Sequence, residues 1–419
     1  MSMVSVGESC PKCAAATISK RSAEPWCPAC EWNLDRFEAD RAPEIGWRWV
    51  DRRLFGTAYW LTERQFAELK GAPLAGRRAS AARIATIVLS VVLLAAVGAL
   101  LVTGVWLLTY DFFTPVNLIG LVLVLIAVVL RPRLGRLSRL AAGAQQLDRA
   151  TAPALFDVIE RVAGAIGAPI PDVVLLSADR NAFTATIGVR RQRVLCLGAP
   201  LWAVLDPQER VALLGHELGH FVNGDVRRGV VTQAAVTTLG QVAYLLAPRG
   251  RRSGFVEMVV DFLARTAARF FLSVHLVLVW ISMRDSQRAE YLADEMAARA
   301  AGSEAAIRLC DQFLFDEAID TVVRREARAG NGAAAWRTAA GQARTGLSAD
   351  VPAYRQLSRR TEASLFASHP PFGLRAGLIA GREAQPAAVV LTEAERARMD
   401  DELAAHYERV RRELVAANW

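Results

Sequence analysis

At 419 residues the chain is long enough for more than one folding unit, and its hydrophobic share of 53% with a mean hydropathy of +0.22 exceeds that of an ordinary soluble protein and argues for membrane segments. The formal charge of +8 does not make it a nucleic-acid binder, and no nucleic-acid partner is expected. Lys12, Lys20 and Lys70 are the only lysines, no basic groove is interleaved with aromatics, and many arginines flank apolar runs, as orientation in a membrane requires.

The first thirty residues are polar and carry cysteines where a signal peptide has its apolar core, so no such leader is expected there. Cys10-Pro-Lys-Cys13 and Cys27-Pro-Ala-Cys30 form two knuckles of two thiolates separated by a hairpin-length loop. That spacing suits a tetrahedral structural metal, zinc or, in a rubredoxin-like site, iron. Residues 1–35 are expected to be a zinc ribbon with no open coordination position, used to dock a partner protein or a substrate. A disulfide framework needs an oxidising compartment and a redox pair needs a βαβ scaffold, and neither context is visible. Cys196 and Cys310 stand alone and read as small core residues.

Residues 36–83 form a connector in which Trp47, Trp49, Tyr59 and Trp60 precede the basic run Arg77, Arg78 and Arg83. Such aromatics either lie at a membrane interface or pack as a satellite on the ribbon. Ile84 to Tyr110 carries no charge and as a helix reaches roughly 40 Å, enough to cross a hydrocarbon core of about 30 Å. Asp111 and Pro115 mark a turn, and Phe112 to Leu130 is again uncharged. Residues 84–130 are therefore expected to form a transmembrane hairpin. Arginines lie before its first span and at Arg131, Arg133, Arg136 and Arg139 after its second, while the turn has none. The positive-inside rule places both ends in the cytoplasm.

Residues 131–228 read as the first part of a mixed α/β domain. Ala152 to Ile166 has helical spacing and ends near Gly167, and three short strands follow from Asp172, Ala182 and Arg193. Asp206-Pro-Gln-Glu209 opens a helix, with Asp as cap, Pro at the first position and Glu at the third. That helix carries His216-Glu-Leu-Gly-His220. Histidines four apart project from one face and can share a zinc ion, while Glu217, turned by about 100°, stays free to handle the proton of a bound water.

Residues 229–283 hold two further apolar runs, Gly229–Ala247 and Phe270–Met283, the second only about 21 Å long as a helix. With Arg249, Arg251 and Arg252 between them, they read as a second hydrophobic hairpin that dips in or lines a cavity, and His275 as a packed histidine. From residue 284 the chain rejoins the soluble domain, to residue 385. Ala329 to Gly346, rich in Gly and Ala, is expected to be a flexible insertion. His369-Pro-Pro371 precedes a short helix carrying Arg375. Residues 386–419 contain a Thr392-x-x-Glu395 capping box and a charged helix.

Catalytic zinc wants three protein ligands and one open position. The class that takes a third histidine six residues downstream is excluded, because Val226 and Asn223 stand where the histidine and its glycine belong. An intramembrane site is excluded by Asp206, Glu209, Arg210 and Asp225 around the motif. The remaining source is a downstream acid. Glu290 and Asp294 lie one helical turn apart, so one can bind metal while the other holds a ligating imidazole from behind.

With Asn181-Ala182-Phe183, His216-Glu-Leu-Gly-His220 followed by Asn223-Gly-Asp225, Glu290-x-x-Ala-Asp294, and Ser368-His-Pro-Pro371 with Arg375, the sequence resembles the HtpX-type integral-membrane zinc metalloproteases. These are gluzincins related to the CAAX prenyl endoproteases. The resemblance covers roughly residues 84–385. It implies His216, His220 and Glu290 as zinc ligands, Glu217 as general base and Asp294 as the acid behind the ligands. Asn181, with Ala182 and Phe183, would lie at the edge strand that receives the peptide, and His369 and Arg375 would reach back to the site. Asp225 reads as a local cap or a further supporting group. The ribbon departs from the usual family plan.

The expected architecture is an α-helical integral membrane protein with a mainly α (α+β) zincin-like domain and an N-terminal zinc ribbon. Two zinc ions are expected, one catalytic and one structural in the ribbon. The expected activity is a zinc endopeptidase acting on membrane or misfolded proteins. It would sit in the bacterial inner membrane in contact with lipid, its N-terminus and catalytic domain cytoplasmic. In this scheme His369 or Arg375 stabilises the tetrahedral oxyanion, a contribution of roughly 3 kcal/mol. Prenyl-protein processing, or an inactive adaptor that binds partners through its ribbon, are the alternatives. The orientation is testable in whole cells. Cysteines placed in the catalytic domain are expected to stay unlabelled by a membrane-impermeant thiol reagent, and labelling from outside the cell contradicts the assignment. The same reagent at positions beside Arg251 reports whether residues 229–283 cross.

Overall fold

The computed structural model describes residues 4–20, 24–38, 47–71, 81–110, 114–131, 143–188, 191–224, 238–246 and 255–416. They divide into two units. Met1–Ala75, Arg136–Val226 and Ser286–Trp419 form one, and Gly76–Gly135 with Arg227–Asp285 form the other.

The first unit starts with an antiparallel pair, β1 (Val4–Ser9) and β2 (Ala16–Lys20), in which Val6 faces Ile18 and Ile18 bridges Trp26. Within the connector, Arg48–Lys70 forms helix α1. Its Phe55 and Ala58 turn inward, while Trp47, Trp49 and Trp60 stay exposed.

A four-stranded sheet forms the next layer. Strands β3 (Ala144–Leu147), β4 (Val173–Ser177), β5 (Ala182–Ile187) and β6 (Gln192–Gly198) lie in the order β3-β4-β6-β5. The β4–β6 pair is parallel and the other two pairs are antiparallel, which leaves β5 at an edge. Helix α4 (Pro153–Ile166) presents Leu155, Val158, Ile159, Val162 and Ile166 at helical spacing to the core. The short α5 (Ala199–Val204) leads into α6 (Pro207–Asn223), the helix with the paired histidines. It is buried on nearly every face, between α4, β5 and later helices.

In the second unit α2 (Ala81–Tyr110) and α3 (Pro115–Leu130) pack against each other as a pair of apolar helices. A methyl group on Gly120 would lie 2.8 Å from the Gly104 carbonyl, so the helices touch backbone to backbone. Asn117 closes the turn by accepting from Thr114 N and donating to Leu107 O, at 2.9 and 3.0 Å. Val102, Trp106, Leu118 and Ile119 are exposed, an apolar surface that suits lipid. Helix α3 begins only at Pro115 and reaches about 24 Å, shorter than the span expected from Phe112. Among the described residues, Ile87–Tyr110 and Glu257–Ala301 lie in helices long and apolar enough to cross a membrane.

The second hydrophobic region departs from expectation. Residues 238–246 form helix α7, the segments 225–237 and 247–254 lie outside the described residues, and α8 (Phe255–Ala301) is one continuous helix. The short apolar run therefore does not end at Arg284. Arginine is a good helix former, and the helix continues into the stretch with Glu290 and Asp294. His275 packs against Gly240, as expected for a packed histidine.

After Ala301 the chain turns at Gly302 into α9 (Ser303–Leu314), α10 (Asp316–Arg328) and α11 (Ala333–Leu347). The expected flexible insertion at 329–346 is corrected by α11. Alanine, read as low complexity, is the strongest helix former, and Trp336 anchors the helix in the core with 0% exposure. Helix α12 (Val351–Thr361) precedes α13 (Phe372–Ala380), and the tail forms two helices, α14 (Glu393–Glu402) and α15 (Ala404–Ala416), split at the buried Leu403. Asp400 receives Arg210 of α6 at 2.8 Å and Arg337 of α11 at 2.5 Å, tying the tail to the histidine-bearing helix.

The start of α13 is held by α12. Ser358 Oγ accepts Gly373 N at 2.9 Å and Glu362 accepts Phe372 N at 2.8 Å. Burial pushes the Glu362 carboxyl up from 4.5 to about 7, against the backbone N–H of Phe372 and the charge of Arg375. The folded chain therefore binds this proton more tightly than the unfolded chain. The stabilisation is complete below about pH 4.5 and is lost as pH rises through 7. Unfolding curves at pH 5 and pH 8 should show the wild type losing on the order of 2 to 3 kcal/mol that Glu362→Gln retains. Parallel losses in both proteins would contradict this.

Candidate metal centre

Helix α6 is fixed at both ends. Glu209 reaches back to Asp206 N at 3.1 Å and takes Arg344 Nη1 of α11 at 2.8 Å, so the segment expected to be flexible clamps the start of this helix. Gly224 caps its end, donating to the carbonyls of His220 and Phe221. Along its length α6 lies unusually close to α8. A methyl group on Gly215 would stand 2.9 Å from Ala300 Cβ, and one on Gly219 would stand 2.9 Å from Met296 Cβ. Small residues on both sides let the backbones approach, and that approach brings the histidines to the acids of α8.

There, His216, His220 and Glu290 offer ligand atoms that all lie within 4.8 Å of one another. His216 Nε2 stands 3.4 Å from Glu290 Oε2, and His220 Nε2 stands 3.6 Å from Glu290 Oε1. Tetrahedral zinc with ligand bonds of about 2.0–2.1 Å spaces its ligands by roughly 3.3 Å. His216 turns Nδ1 toward Asp294 Oδ1 at 3.0 Å, so Nε2 faces the cluster. Of the two acids left open by helical spacing, Glu290 meets both rings and Asp294 stands behind one of them.

The charges point to a cation. Glu217, Glu290 and Asp294 are at least 94% buried, and with them lies one guanidinium, that of Arg375. Three carboxylates against this guanidinium leave an excess, which either a proton on His216 or a divalent ion bound in its place would offset. Glu290 Oε2 is buried and makes no well-aligned hydrogen bond, although His369 Nδ1 approaches to 2.7 Å. Burial and the Arg375 charge favour a neutral His216 ring, but Asp294 and Glu290 outweigh them and push it up to about 9. A metal at Nε2 competes with that proton. The donor set fits zinc.

His369 and Arg375 occupy different places. His369 is half exposed beside Glu290 and open to a substrate. Arg375 is buried, donating to Asp294 from Nε at 2.9 Å and from Nη2 at 2.6 Å, with its plane 4.9 Å from the Phe372 ring. It braces the acid behind His216, and its Nη1 also lies 3.4 Å from Glu290 Oε2. Asn181 is exposed and caps the start of edge strand β5, its Oδ1 accepting Ala182 N at 2.9 Å. Ala182 and Phe183 pack into the two faces of the sheet, so the backbone edge is what the strand has left to offer a peptide. Asp225 lies outside the described residues. Sequence reasoning missed Thr184, whose hydroxyl holds the Glu217 carbonyl at 3.2 Å. It also missed Gln287, whose amide holds Ala367 O at 3.0 Å in the loop leading to His369. Gln287 sits one turn before Glu290, the one signal that could have marked it.

A second cluster lies among the N-terminal cysteines. The sulfurs of Cys10, Cys13, Cys27 and Cys30 fall within 4.8 Å of one another, with Cys10 to Cys30 at 3.7 Å and Cys13 to Cys27 at 3.4 Å. Four thiolates about 2.3 Å from one zinc ion would lie roughly 3.8 Å apart. Backbone N–H groups, that of Cys30 first, lower the Cys27 thiol to about 6, which favours the ligating thiolate.

Residues 149–383 match peptidase family M48. A protein named Protease HtpX homolog from Tropheryma whipplei is 27% identical over 173 residues, covering 39% of this chain and 57% of that protein. Protease HtpX of Chromohalobacter salexigens is 28% identical over 201 residues, covering 45% and 65%. The Protease HtpX homolog of Pelotomaculum thermopropionicum is 28% identical over 231 residues, covering 54% and 74%. The chain thus spans little more than half the length of the Tropheryma relative. No solved structure matches it. The geometry carries its own test. Asp294→Asn should weaken zinc binding at the histidines by about 10- to 100-fold in chelator competition, and unchanged affinity would remove Asp294 from behind the metal.

Proposed function

The chain belongs to peptidase family M48, of HtpX type, and on that premise we propose that it is a membrane-bound zinc endopeptidase that uses His216, His220 and Glu290 as ligands and Glu217 as general base. The observation that carries this reading is the meeting of three ligand atoms from α6 and α8 within 4.8 Å, with Asp294 on the free nitrogen of His216. M48 peptidases use zinc, and here the ion would supply Lewis acidity, polarising the scissile carbonyl and acidifying an attacking water.

The residues of the chain do the rest. Glu217, on the same helix as both histidines, takes the proton of the attacking water and later gives it to the leaving amine. His369, open beside Glu290, donates to the developing oxyanion. Arg375 keeps Asp294 ionised and aimed, and Asp294 keeps His216 in the tautomer that presents Nε2. The free edge of β5 takes the peptide as an added strand, with Asn181 at its entrance.

We assign residues 1–35 to a zinc ribbon, 84–130 to a membrane hairpin, and 131–228 with 284–385 to the peptidase domain. Residues 229–283 form the second hydrophobic region and 386–419 the C-terminal helices. Substrates are membrane or misfolded proteins reached from the bilayer surface. The arginine flanks of the hairpin support a bacterial inner-membrane protein with its catalytic domain in the cytoplasm. Glu217→Gln separates binding from chemistry. It should keep zinc at the histidines and lose about 10²- to 10⁴-fold in cleavage of a casein-like protein. Wild-type cleavage by that variant would sink the mechanism.

A further inference from the structure

The ribbon is not a free appendage. Its second cysteine knuckle is seated on α12. Trp26, fully buried, packs with Ile18 and Leu34 against Leu357 and Ala353. Its Nε1 donates to Gln356 Oε1 at 3.0 Å, and Gln356 Nε2 donates back to Pro28 O at 3.0 Å. Arg359 grips the Glu31 carboxylate at 2.5 and 3.0 Å and also Glu63 of α1 at 2.7 and 2.9 Å.

Arg360 goes deepest. It is 1% exposed, lies 5.3 Å over the Trp26 ring, and donates to the carbonyls of Glu24, Asn33 and Leu34 and to the Glu38 carboxylate. Every one of these acceptors belongs to the N-terminal 38 residues.

The opposite face of α12 holds the catalytic side. Ser358 and Glu362 accept the first two N–H groups of α13, and a methyl group on Gly373 would collide with Arg355 O at 1.9 Å. Arg375, two residues on, is the brace on Asp294. The His369 loop lies between the two helices. A chain of direct contacts thus runs from the cysteines through Trp26 and Arg360 to α12, then through Gly373 to Arg375, Asp294 and His216.

A ribbon of this size cannot hold itself together by apolar burial, because segments below about 40 residues need a metal, a disulfide or a partner. Without its metal the acceptors of Arg360 disperse and α12 loses the face it is pinned to. We propose that Cys10, Cys13, Cys27 and Cys30 hold a metal whose task is to clamp α12, keeping Arg375 and His369 in register, so that metal loading of the ribbon sets peptidase activity. This rests on the zinc-peptidase reading of the histidine site. It makes Arg360 a positioning residue and the ribbon an internal part of the enzyme.

The test uses the full-length protein in detergent with three readouts: zinc per chain, amide hydrogen exchange over 351–375, and kcat and KM on a protein substrate. Cys27→Ser should drop zinc from two to one and speed exchange over 351–375 by at least about tenfold. It should also lower kcat roughly tenfold with KM nearly unchanged, the mark of misplaced groups and not of lost substrate contacts. Arg360→Gln should keep both zinc ions and still reproduce the faster exchange and the lower kcat. This second variant decides the question if Cys27→Ser fails to fold. Wild-type exchange and kcat in a Cys27→Ser protein that has lost ribbon zinc, or in Arg360→Gln, would overturn the clamp. Failure of the peptidase reading shows differently, as equal cleavage by wild type and Glu217→Gln, and the exchange data then still decide whether the ribbon clamps α12.

Discussion

The close approach of α6 and α8 is the constraint on which the site depends. Gly215 and Gly219 remove the side chains that would hold the helices apart, and Ala293, Ala297 and Ala300 do the same from the other side. Only at that separation do the imidazoles of one helix share space with Glu290 of the other. The packing is van der Waals contact between backbones, and it fixes helix positions more tightly than interlocking long side chains would. Chemistry that needs ligands placed to a few tenths of an ångström is therefore built on small residues.

Electrostatics then constrain what can occupy the space. Burying Glu217, Glu290 and Asp294 together is costly unless positive charge lies among them. Arg375 supplies part of it, donating to Asp294 and lying 3.4 Å from Glu290 Oε2. What remains suits a divalent ion at the Nε2 atoms of the histidines. The same logic explains the layered support. Asp294 orients His216, Arg375 orients Asp294, and α12 orients α13. Each layer is a buried polar group with its partners satisfied, so disturbance propagates inward.

Much of this was legible in the sequence because it rests on local pattern. The histidine spacing, the Asp206–Glu209 helix start, the cysteine knuckles and the uncharged run from Ile84 each depend on residues close in the chain. The choice between Glu290 and Asp294 was not legible from spacing, since helical geometry makes the two equivalent until the facing helix is known. Strand β3 escaped notice because Gln145 and Gln146 give an edge strand no apolar alternation. Helix α11 was misread because alanine and glycine signal flexibility by composition, while Trp336 and Arg344 decide the matter by where they are buried and whom they bind. The seat of the ribbon on α12 joins positions more than three hundred residues apart, and no local pattern carries that information.

On the proposed reading, two helices jointly hold one metal for hydrolysis while the cysteines hold another. Zinc-edge anomalous scattering from crystals of the full-length Glu217→Gln protein tests it most directly. Two peaks per chain are expected, one within about 2.0–2.2 Å of His216 Nε2, His220 Nε2 and a Glu290 oxygen, and one about 2.3 Å from four sulfurs. A zinc-loaded crystal with a peak only at the cysteines would contradict it.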